Sequence, residues 1–213
     1  MWYFVRTPPP LRWLFSRYTW RVEQEQGRRI YLTFDDGISG ELTDFILDQL
    51  ALHQAKATFF LVGSPTEQQA ERLRRTYTEG HTIANHTQRH ENGWKTPTEV
   101  YVDSVRTCEQ VLTTLLPDVE RRRLFRPPYG RIRSAQANAL MQQGYEIVMW
   151  DVIAGDFDAQ NTPDESLKRL KKYARAGSIV VLHDNARFAD HLRALLPPLL
   201  QFYREEGYTL AAL

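Results

Sequence analysis

Two adjacent aspartates and two closely spaced histidines are the residues of this sequence best suited to chemistry. Asp35 and Asp36 directly follow the apolar run Ile30–Phe34, and His86 and His90 lie four residues apart further along the chain. One carboxylate and two imidazoles form a ligand set that leaves positions open for water and substrate, as catalytic zinc sites do. We therefore predict one bound divalent metal ion, with zinc as the expected ion.

Each half of this pattern also has a simpler interpretation. An H-x-x-x-H pair often lies on a surface helix that binds nothing, and two aspartates before Gly37 are also typical of a tight turn. In an extended backbone, however, successive side chains point in opposite directions. Asp35 and Asp36 would then face different groups, so that one carboxylate binds the metal ion and the other faces the reacting water.

Polar residues also stand at the ends of later predicted strands. Arg126 ends one strand, Asp151 follows the next, and His183 follows the apolar run Ser178–Leu182. In a parallel barrel such positions gather at the carboxyl-terminal rim, where barrel enzymes have their active sites. The pattern predicts one site at this rim, with Asp151 either supporting the other residues from behind or serving the structure alone.

Short apolar runs alternate with helical patterns from residue 29 onward. The predicted strands are Ile30–Phe34, Thr58–Val62, Thr82–Asn85, Leu124–Arg126, Glu146–Trp150, Ser178–Leu182 and Tyr208–Ala211. The predicted helices are Glu41–His53, Thr66–Glu79, a helix from Thr98 as its N-cap to Leu116, Ser134–Gln143, Pro163–Tyr173 and Asp190–Glu206. This alternation predicts an α/β fold, a distorted barrel of about seven parallel strands. The first strand lacks the glycine-rich phosphate loop typical of an open doubly wound sheet.

Five short motifs resemble, in order and spacing, those of a known family. They are Thr33–Gly37 (TFDDG), His86–His90 (HTQRH), Arg126–Tyr129 (RPPY), Asp156–Phe157 and Leu182–Asp184 (LHD). From about residue 29 to residue 212 the sequence resembles the polysaccharide deacetylases that share the NodB homology domain, carbohydrate esterase family four. The resemblance implies a metal-dependent hydrolase that removes N-acetyl groups from N-acetylglucosamine-containing glycans or glycan precursors. The bond broken would be a linear amide rather than a peptide bond.

The resemblance also gives the first two motifs individual roles. It implies that Asp35 is the general base and that Asp36 binds the metal ion together with His86 and His90. Arg126 would hold Asp35 in place. These assignments suit the chemistry, because a nearby cation favours an ionised carboxylate.

An acid, an oxyanion donor and a pocket are implied in the same way. His183 would be the general acid, supported by Asp156, and the backbone N–H of Tyr129 would help to stabilise the oxyanion. Leu182 and Phe157 would flank the acetyl pocket.

Some positions depart from the family pattern or have two interpretations. Ile38 replaces the usual proline, and Phe157 replaces the usual tryptophan, so that the pocket wall is smaller. Arg89 would face an anionic glycan or lie in solvent. Trp94 would form a platform for a sugar ring or pack its own loop.

Two other functions stay open at this stage. A metal-dependent amidohydrolase for a small non-sugar amide would need a closed pocket instead of an open groove. A non-catalytic glycan-binding protein would need neither a base nor an acid, so Asp35 and His183 argue against it.

Composition limits the expected partners. The formal net charge is +1, from 27 basic and 26 acidic residues. The sequence therefore lacks the excess of positive charge expected of a nucleic-acid-binding protein. No run of about 20 apolar residues predicts an integral membrane span. The single cysteine, Cys108, lies in a helical pattern and is expected in the core. An N-acetylated carbohydrate is the expected partner, and the sequence leaves the oligomeric state undefined.

We divide the chain into an extension, residues 1–28, and a deacetylase-like domain, residues 29–213. The extension contains Pro8–Pro10 and the aromatic residues Trp13, Phe15, Tyr18 and Trp20. We expect it to pack on the domain, with a membrane surface as the alternative contact. Its start is short for a secretion signal, so the expected location is cytoplasmic, with peripheral membrane association left open.

Overall fold

Apolar runs form the strands of a curled half-barrel. The computed structural model describes residues 3–23, 27–117, 119 and 121–213. The strands are β1 (Arg29–Asp35), β2 (Ala57–Leu61), β3 (Thr82–Asn85), β4 (Leu124–Phe125), β5 (Glu146–Ile147), β6 (Val152–Ile153), β7 (Ile179–His183) and β8 (Thr209–Leu210). Seven of them form one parallel sheet in the order β5-β4-β3-β2-β1-β7-β6, and β8 pairs with the start of β1. The predicted α/β fold with about seven parallel strands is confirmed.

Helices connect the strands close to the predicted positions. They are α1 (Pro9–Leu14), α2 (Glu41–Leu52), α3 (Gly63–Thr66), α4 (Ala70–Thr78), α5 (Thr98–Leu115), α6 (Ser134–Gln142), α7 (Pro163–Tyr173) and α8 (Ala189–Glu205). The predicted helix Thr66–Glu79 is wrong in its first turn, because the chain leaves helical geometry at Gln69, between α3 and α4. Thr98 is also not an N-cap, because Pro97 occupies that position and Thr98 is already helical. No helix within the described residues has the length and apolar character needed to cross a membrane.

The alternation of side chains along β1 explains how the sheet carries both a core and a site. Ile30, Leu32 and Phe34 point into the large apolar cluster formed with the helices. The residues between them point to the opposite face, where Thr33 and Asp35 are buried polar groups. The strand therefore ends with Asp35 facing the interior of the half-barrel.

The N-terminal extension lies across the open side of the half-barrel, between β5 and β6. Near its end, the N–H of Thr19 donates to the carbonyl of Ile147 at 2.8 Å, and the N–H of Met149 donates to Thr19 at 2.7 Å. Near its start, Ile153 donates to the carbonyl of Val5 at 3.0 Å. Residues 1, 2 and 24–26 of the predicted extension lie outside the described part, and the proposed boundary at residue 28 stays a prediction.

The single predicted strand Glu146–Trp150 is wrong. The chain forms β5, pairs with the extension at Val148, and then starts the separate strand β6 at Val152. The reason is that Thr19 of the extension bonds to the carbonyl of Ile147 and the N–H of Met149, so that the sheet is interrupted there.

This interruption also moves Asp151 to the other end of the sheet. Its N–H donates to the carbonyl of Ile179, the first residue of β7, so Asp151 lies at the amino end and not at the predicted carboxyl-terminal rim. Its carboxylate is fully buried and accepts a hydrogen bond from Ser178 at 2.6 Å. Three arginines of the extension surround it at 3.3 to 3.6 Å: Arg6, Arg12 and Arg21.

Candidate active site

The predicted metal-binding residues lie together at the carboxyl end of the sheet. Asp36 follows the end of β1, and His86 follows the end of β3. Oδ1 of Asp36 lies 3.1 Å from Nε2 of His90 and 3.7 Å from Nε2 of His86. The ligand atoms of the three residues all lie within 4.8 Å of one another.

These three residues fit a divalent cation. Apart from the two imidazoles, the buried Oδ1 of Asp36 has no polar partner among the described residues. A buried carboxylate oxygen without partners is unfavourable, and a cation between it and the two imidazoles would remove that cost. One oxygen and two nitrogen ligands are also the donor types that zinc accepts.

The backbone around this cluster is unusually strained. Asp36, Thr87, His90 and Tyr129 have φ angles of 78°, 68°, 58° and 60°, in the left-handed region that side chains with a Cβ atom disfavour. Among the described non-glycine residues, Gln54 is the other one with a positive φ. Such strain tends to concentrate at functional sites, where the surrounding structure enforces it.

Hydrogen bonds on the outer nitrogens orient both imidazoles. Nδ1 of His86 lies 2.7 Å from the carbonyl oxygen of Arg126, and Nδ1 of His90 lies 3.1 Å from the hydroxyl of Tyr129. Each ring therefore turns its Nε2 toward Asp36. In metal-binding histidines, a hydrogen-bond partner on the other ring nitrogen commonly fixes the ring in this way. The family resemblance implies a role only for the backbone N–H of Tyr129, and that role stays a prediction.

Asn185 is a site residue that the sequence analysis missed. Its Nδ2 donates to Oδ2 of Asp36 at 3.0 Å and thereby fixes the carboxylate. Its Oδ1 accepts from the N–H of Arg187, which is the local capping role that an asparagine at a turn suggests. Its place two residues after His183, at a strand end, was the available signal.

The protonation of the cluster suits cation binding. Burial lowers the pKa of His86 to about 4, so the ring is neutral at pH 7, as a ligand must be. Burial alone would raise the pKa of Asp36, but interaction with His90 and the nearby His183 and His86 holds that pKa below its usual range. Asp36 is therefore a carboxylate.

The predicted pairing of Asp35 with Arg126 is present. Nη1 of the fully buried Arg126 lies 2.6 Å from Oδ1 of Asp35 and also donates to Oγ1 of Thr33 at 2.6 Å. The guanidinium lies over the ring of Phe60, 4.0 Å from its centroid. Asp35 is thus fixed in orientation and its charge is compensated inside the half-barrel.

His183 and Asp156 form a second charged pair. Nδ1 of His183 lies 2.8 Å from Oδ1 of Asp156, whose other oxygen accepts from the backbone N–H of His183 at 2.7 Å. Burial alone would lower the pKa of His183. The negative charge and hydrogen bond of Asp156, with smaller contributions from Asp36 and Asp35, raise it to about 9. His183 is therefore protonated at neutral pH.

Phe157 contacts His183 on one side and the N-terminal extension on the other. Its ring centroid lies 5.2 Å from that of His183 and 5.1 Å from that of Tyr3. Gly155, with φ +75°, makes room for this tyrosine, because a Cβ there would lie 2.4 Å from the Tyr3 hydroxyl. The hydroxyl accepts a hydrogen bond from Arg169 at 3.1 Å. Tyr3 is the second residue that the sequence analysis missed.

The other predicted pocket residues differ in their placement. Leu182 is fully buried in the core among the helices, and its neighbour Val181 lines the cavity instead. The alternation of side chains along β7 explains this, because Val181 and His183 share the inner face. Trp94 lines the cavity, and the guanidinium of Arg131 lies 5.1 Å from the centroid of its ring.

Asp184, the last residue of the fifth motif, braces the loop after β1. Its buried carboxylate accepts from Thr43 at 2.6 Å, and burial raises its pKa to about 7. Its N–H donates to the carbonyl of Asp35 at 2.8 Å. A Cβ at Gly37 would lie 2.3 Å from Oδ2 of Asp184, so the glycine of TFDDG is required by this contact.

One large cavity, of about 940 Å³, joins the metal cluster to Asp35 and His183. Asp35, Asp36, His86, His90 and His183 line its floor, together with Phe157. Its other side is lined by the N-terminal extension, from Tyr3 to Trp20. Two other residues lie away from the cavity: the buried His81 accepts a hydrogen bond from the N–H of Ala57, and Cys108 is a core residue, as predicted.

A curled half-barrel of parallel strands, with paired aspartates and histidines at its carboxyl-terminal rim, defines a hydrolase of the distorted-barrel class. Comparison with known proteins makes this specific. The sequence profile described as "Polysaccharide deacetylase" matches residues 23–148. The chain belongs to the polysaccharide deacetylase family.

Individual relatives support the same assignment over most of the chain. A peptidoglycan-N-acetylglucosamine deacetylase of Bacillus cereus is 30% identical over 89% of this chain and 88% of its own length. A chitooligosaccharide deacetylase of a Bradyrhizobium species is 35% identical over 74% of this chain and 71% of its own. A solved peptidoglycan N-acetylglucosamine deacetylase, 29% identical, superposes with a TM-score of 0.87 over 96% of this chain and 94% of its own.

Proposed function

We propose that this protein is a metal-dependent N-deacetylase that removes acetyl groups from N-acetylglucosamine-containing glycans or glycan precursors. The observation that carries the proposal is one cavity in which a metal-fitting cluster lies beside two charge-paired groups, Asp35–Arg126 and His183–Asp156. Relatives named as peptidoglycan and chitooligosaccharide deacetylases support the choice of substrate class.

Asp36, His86 and His90 would hold the ion, and zinc is the expected species. When bound, a divalent ion supplies Lewis-acid chemistry, by acidifying water and polarising a carbonyl oxygen. Asn185, Tyr129 and the carbonyl of Arg126 keep the three ligands oriented for this purpose.

Asp35 is the group that accepts a proton from the attacking water. Its carboxylate lines the cavity, and Arg126 fixes it from behind. A base of this kind must be held within reach of the water and must not rotate away. The double contact of Arg126, to Asp35 and to Thr33, provides that rigidity.

His183 is the group that donates a proton to the leaving nitrogen. An amine is a poor leaving group until it is protonated, so the reaction needs an acid on the leaving side. The pKa of about 9 keeps His183 charged at pH 7, with Nδ1 held by Asp156. Base and acid are thus separate residues, each held by its own charged partner.

The shape of the cavity favours a glycan over a small amide. Its mouth is formed by exposed side chains, among them Phe4, Trp94 and Tyr129, so the site opens to solvent on that side. A small-molecule amidase would be expected to enclose its substrate instead. The paired base and acid disfavour a role in binding alone.

The test is acetate release from a panel of N-acetylglucosamine oligomers and a small acetanilide, with and without a chelator. We expect release from the sugars that the chelator abolishes and added zinc restores. Asp35→Asn and His183→Ala should each lower kcat by about 10²- to 10⁴-fold, while Asp103→Ala, an exposed carboxylate on α5, should not. Near-normal turnover in either site variant would contradict the assignment.

A further inference from the structure

The cavity extends beyond what an acetamido sugar needs. At about 940 Å³ it lies at the upper end of the range for small-molecule sites, about 300–1,000 Å³. The part away from the metal cluster, which we call the apolar arm, lies between the N-terminal extension and the chain around β5. Its lining residues are Leu11, Phe15, Tyr18, Trp20, Ile132, Met149 and Trp150.

Several polar groups along this arm are already engaged within the protein. The indole N–H of Trp20 donates to the carbonyl of Phe15 at 2.9 Å. The hydroxyl of Tyr18 accepts from Arg17 at 3.3 Å, and the hydroxyl of Thr7 donates to the carbonyl of Trp150 at 2.7 Å. Sugar hydroxyls that entered the arm would lose water and gain few partners, which is unfavourable.

The arm is also joined directly to the catalytic floor. The ring of Trp150 packs on Gly130, where a Cβ would lie 2.7 Å from it, and Gly130 follows Tyr129. Tyr129 in turn contacts His90. Because both parts belong to one cavity, a single molecule can extend from the arm to Asp35 and His183.

The same extension exposes apolar side chains next to the arm. Phe4 lines the cavity mouth and is 63% exposed, and Trp13 and Leu14, at the end of α1, are 80% and 66% exposed. Their place beside an apolar channel suits a substrate that is itself amphiphilic.

We propose that the apolar arm binds a hydrocarbon aglycone, so that the preferred substrate is an N-acetyl sugar attached to an aliphatic chain. This inference rests on the proposed deacetylase function and narrows its substrate class. Leu11 and Phe15 of the extension would be specificity-determining residues that contact the chain, and the sugar would lie over Asp35 and His183.

The experiment compares methyl, hexyl and dodecyl β-glycosides of N-acetylglucosamine, below their micelle concentrations, with chitotetraose. Acetate release from chitotetraose is sufficient by itself to establish deacetylation. For the wild type we expect kcat/KM to rise with alkyl length, by up to about fourfold per buried methylene until the arm is filled. A flat response to alkyl length, with chitotetraose preferred, would overturn the inference but leave the proposed function standing. Loss of acetate release from every substrate would refute the function itself.

Variants locate the effect in the arm. In Leu11→Ser/Phe15→Ser the ratio of dodecyl to methyl activity should fall at least tenfold, and Leu11→Trp, which fills the arm, should lower the same ratio. The matched control is Leu52→Ser, a 69% exposed leucine at the end of α2, which should keep the wild-type ratio. Far-UV circular dichroism confirms that each variant is folded. An unchanged ratio in both folded arm variants would overturn the inference.

Discussion

At the scale of single residues, the site depends on groups that orient the reacting side chains without being named by the motifs. The aspartates and histidines of the motifs could be found from their types and strand-end positions. Asn185 and Tyr3 were missed because their partners are distant in sequence: Asn185 had only its strand-end position as a signal, and Asp36 lies 149 residues before it. Such contacts depend on how strands are brought together, which a local pattern does not encode.

Asn185 gives the first prediction at this scale. Asn185→Ala removes the hydrogen bond to Oδ2 of Asp36, so the carboxylate is free to rotate away from the two imidazoles. Loss of such an outer partner commonly costs 10- to 100-fold in metal affinity. We expect zinc affinity to fall by that factor, as measured by competition with a chromophoric chelator. Gln160→Ala, an exposed amide, is the control, and equal affinity in both proteins would contradict the orienting role.

The pairing of His183 with Asp156 predicts a pH dependence. Because the pKa of His183 is raised to about 9, its proton is present at neutral pH and is lost as the pH rises through 9. The activity should fall over the same range. Asp156→Asn removes the charge that raises this pKa, so the alkaline limb of kcat/KM should move to lower pH.

The difference between the two proteins is the decisive measurement. A bound divalent cation would lower the pKa of His183 in wild type and variant alike, so profiles from pH 6 to 10 are compared pairwise with the same metal ion. Coincident alkaline limbs would show that the limb does not report His183. A proportional loss of kcat at every pH would indicate misplacement of the ring instead of a change in its titration.

At the scale of elements, the strands and helices were largely predictable and the N-terminal extension was not. The long periodic segment α7, Pro163–Tyr173, has a Pro at its first turn and a capping box, and it was placed correctly. The region 146–153 was misread because its apolar run continues through residues whose hydrogen bonds go to Thr19 of the extension. A pairing partner more than a hundred residues away decides where that strand ends.

Asp151 links the extension to the sheet and gives a prediction at this scale. Its carboxylate is fully buried, whereas the side chains of Arg6, Arg12 and Arg21 are 20 to 40% exposed. In Asp151→Ala the arginines turn to solvent, but the three ion pairs that tie the extension to the sheet are lost. We expect the free energy of unfolding to fall by about 2–3 kcal/mol, less than for a pair in which both charges are buried.

Denaturant unfolding measures this loss, and limited trypsin digestion shows where it occurs. Cleavage after Arg12 and Arg17 should become faster than cleavage in the half-barrel, because the extension is released first. Asp103→Ala is the matched control on an exposed surface. Uniform acceleration at all sites would mean that Asp151 stabilises the whole sheet and not the extension in particular.

At the scale of the whole molecule, the fold brings five motifs to one rim while the extension closes the opposite side of the same cavity. The parallel topology made the rim predictable, because the carboxyl ends of parallel strands share one edge. Asp151 is the exception to that rule. It follows an apolar run, but the run is not one continuous strand, so its end does not mark the rim. The five motifs contain no residue of the extension, so they could not predict that the extension selects the substrate.

Metal binding should therefore be visible in the stability of the whole chain. A ligand that binds the folded state alone stabilises it by RT ln(1 + [L]/Kd), about 2.7 kcal/mol at a hundredfold excess over Kd. For a chain of 213 residues, this corresponds to a rise in Tm of about 5–10 °C. Zinc added to metal-free protein should produce that shift in thermal denaturation, and a chelator should reverse it. Asp36→Ala removes the oxygen ligand and should abolish the shift, because two imidazoles alone bind zinc weakly. A shift of equal size in Asp36→Ala would place the stabilising ion elsewhere.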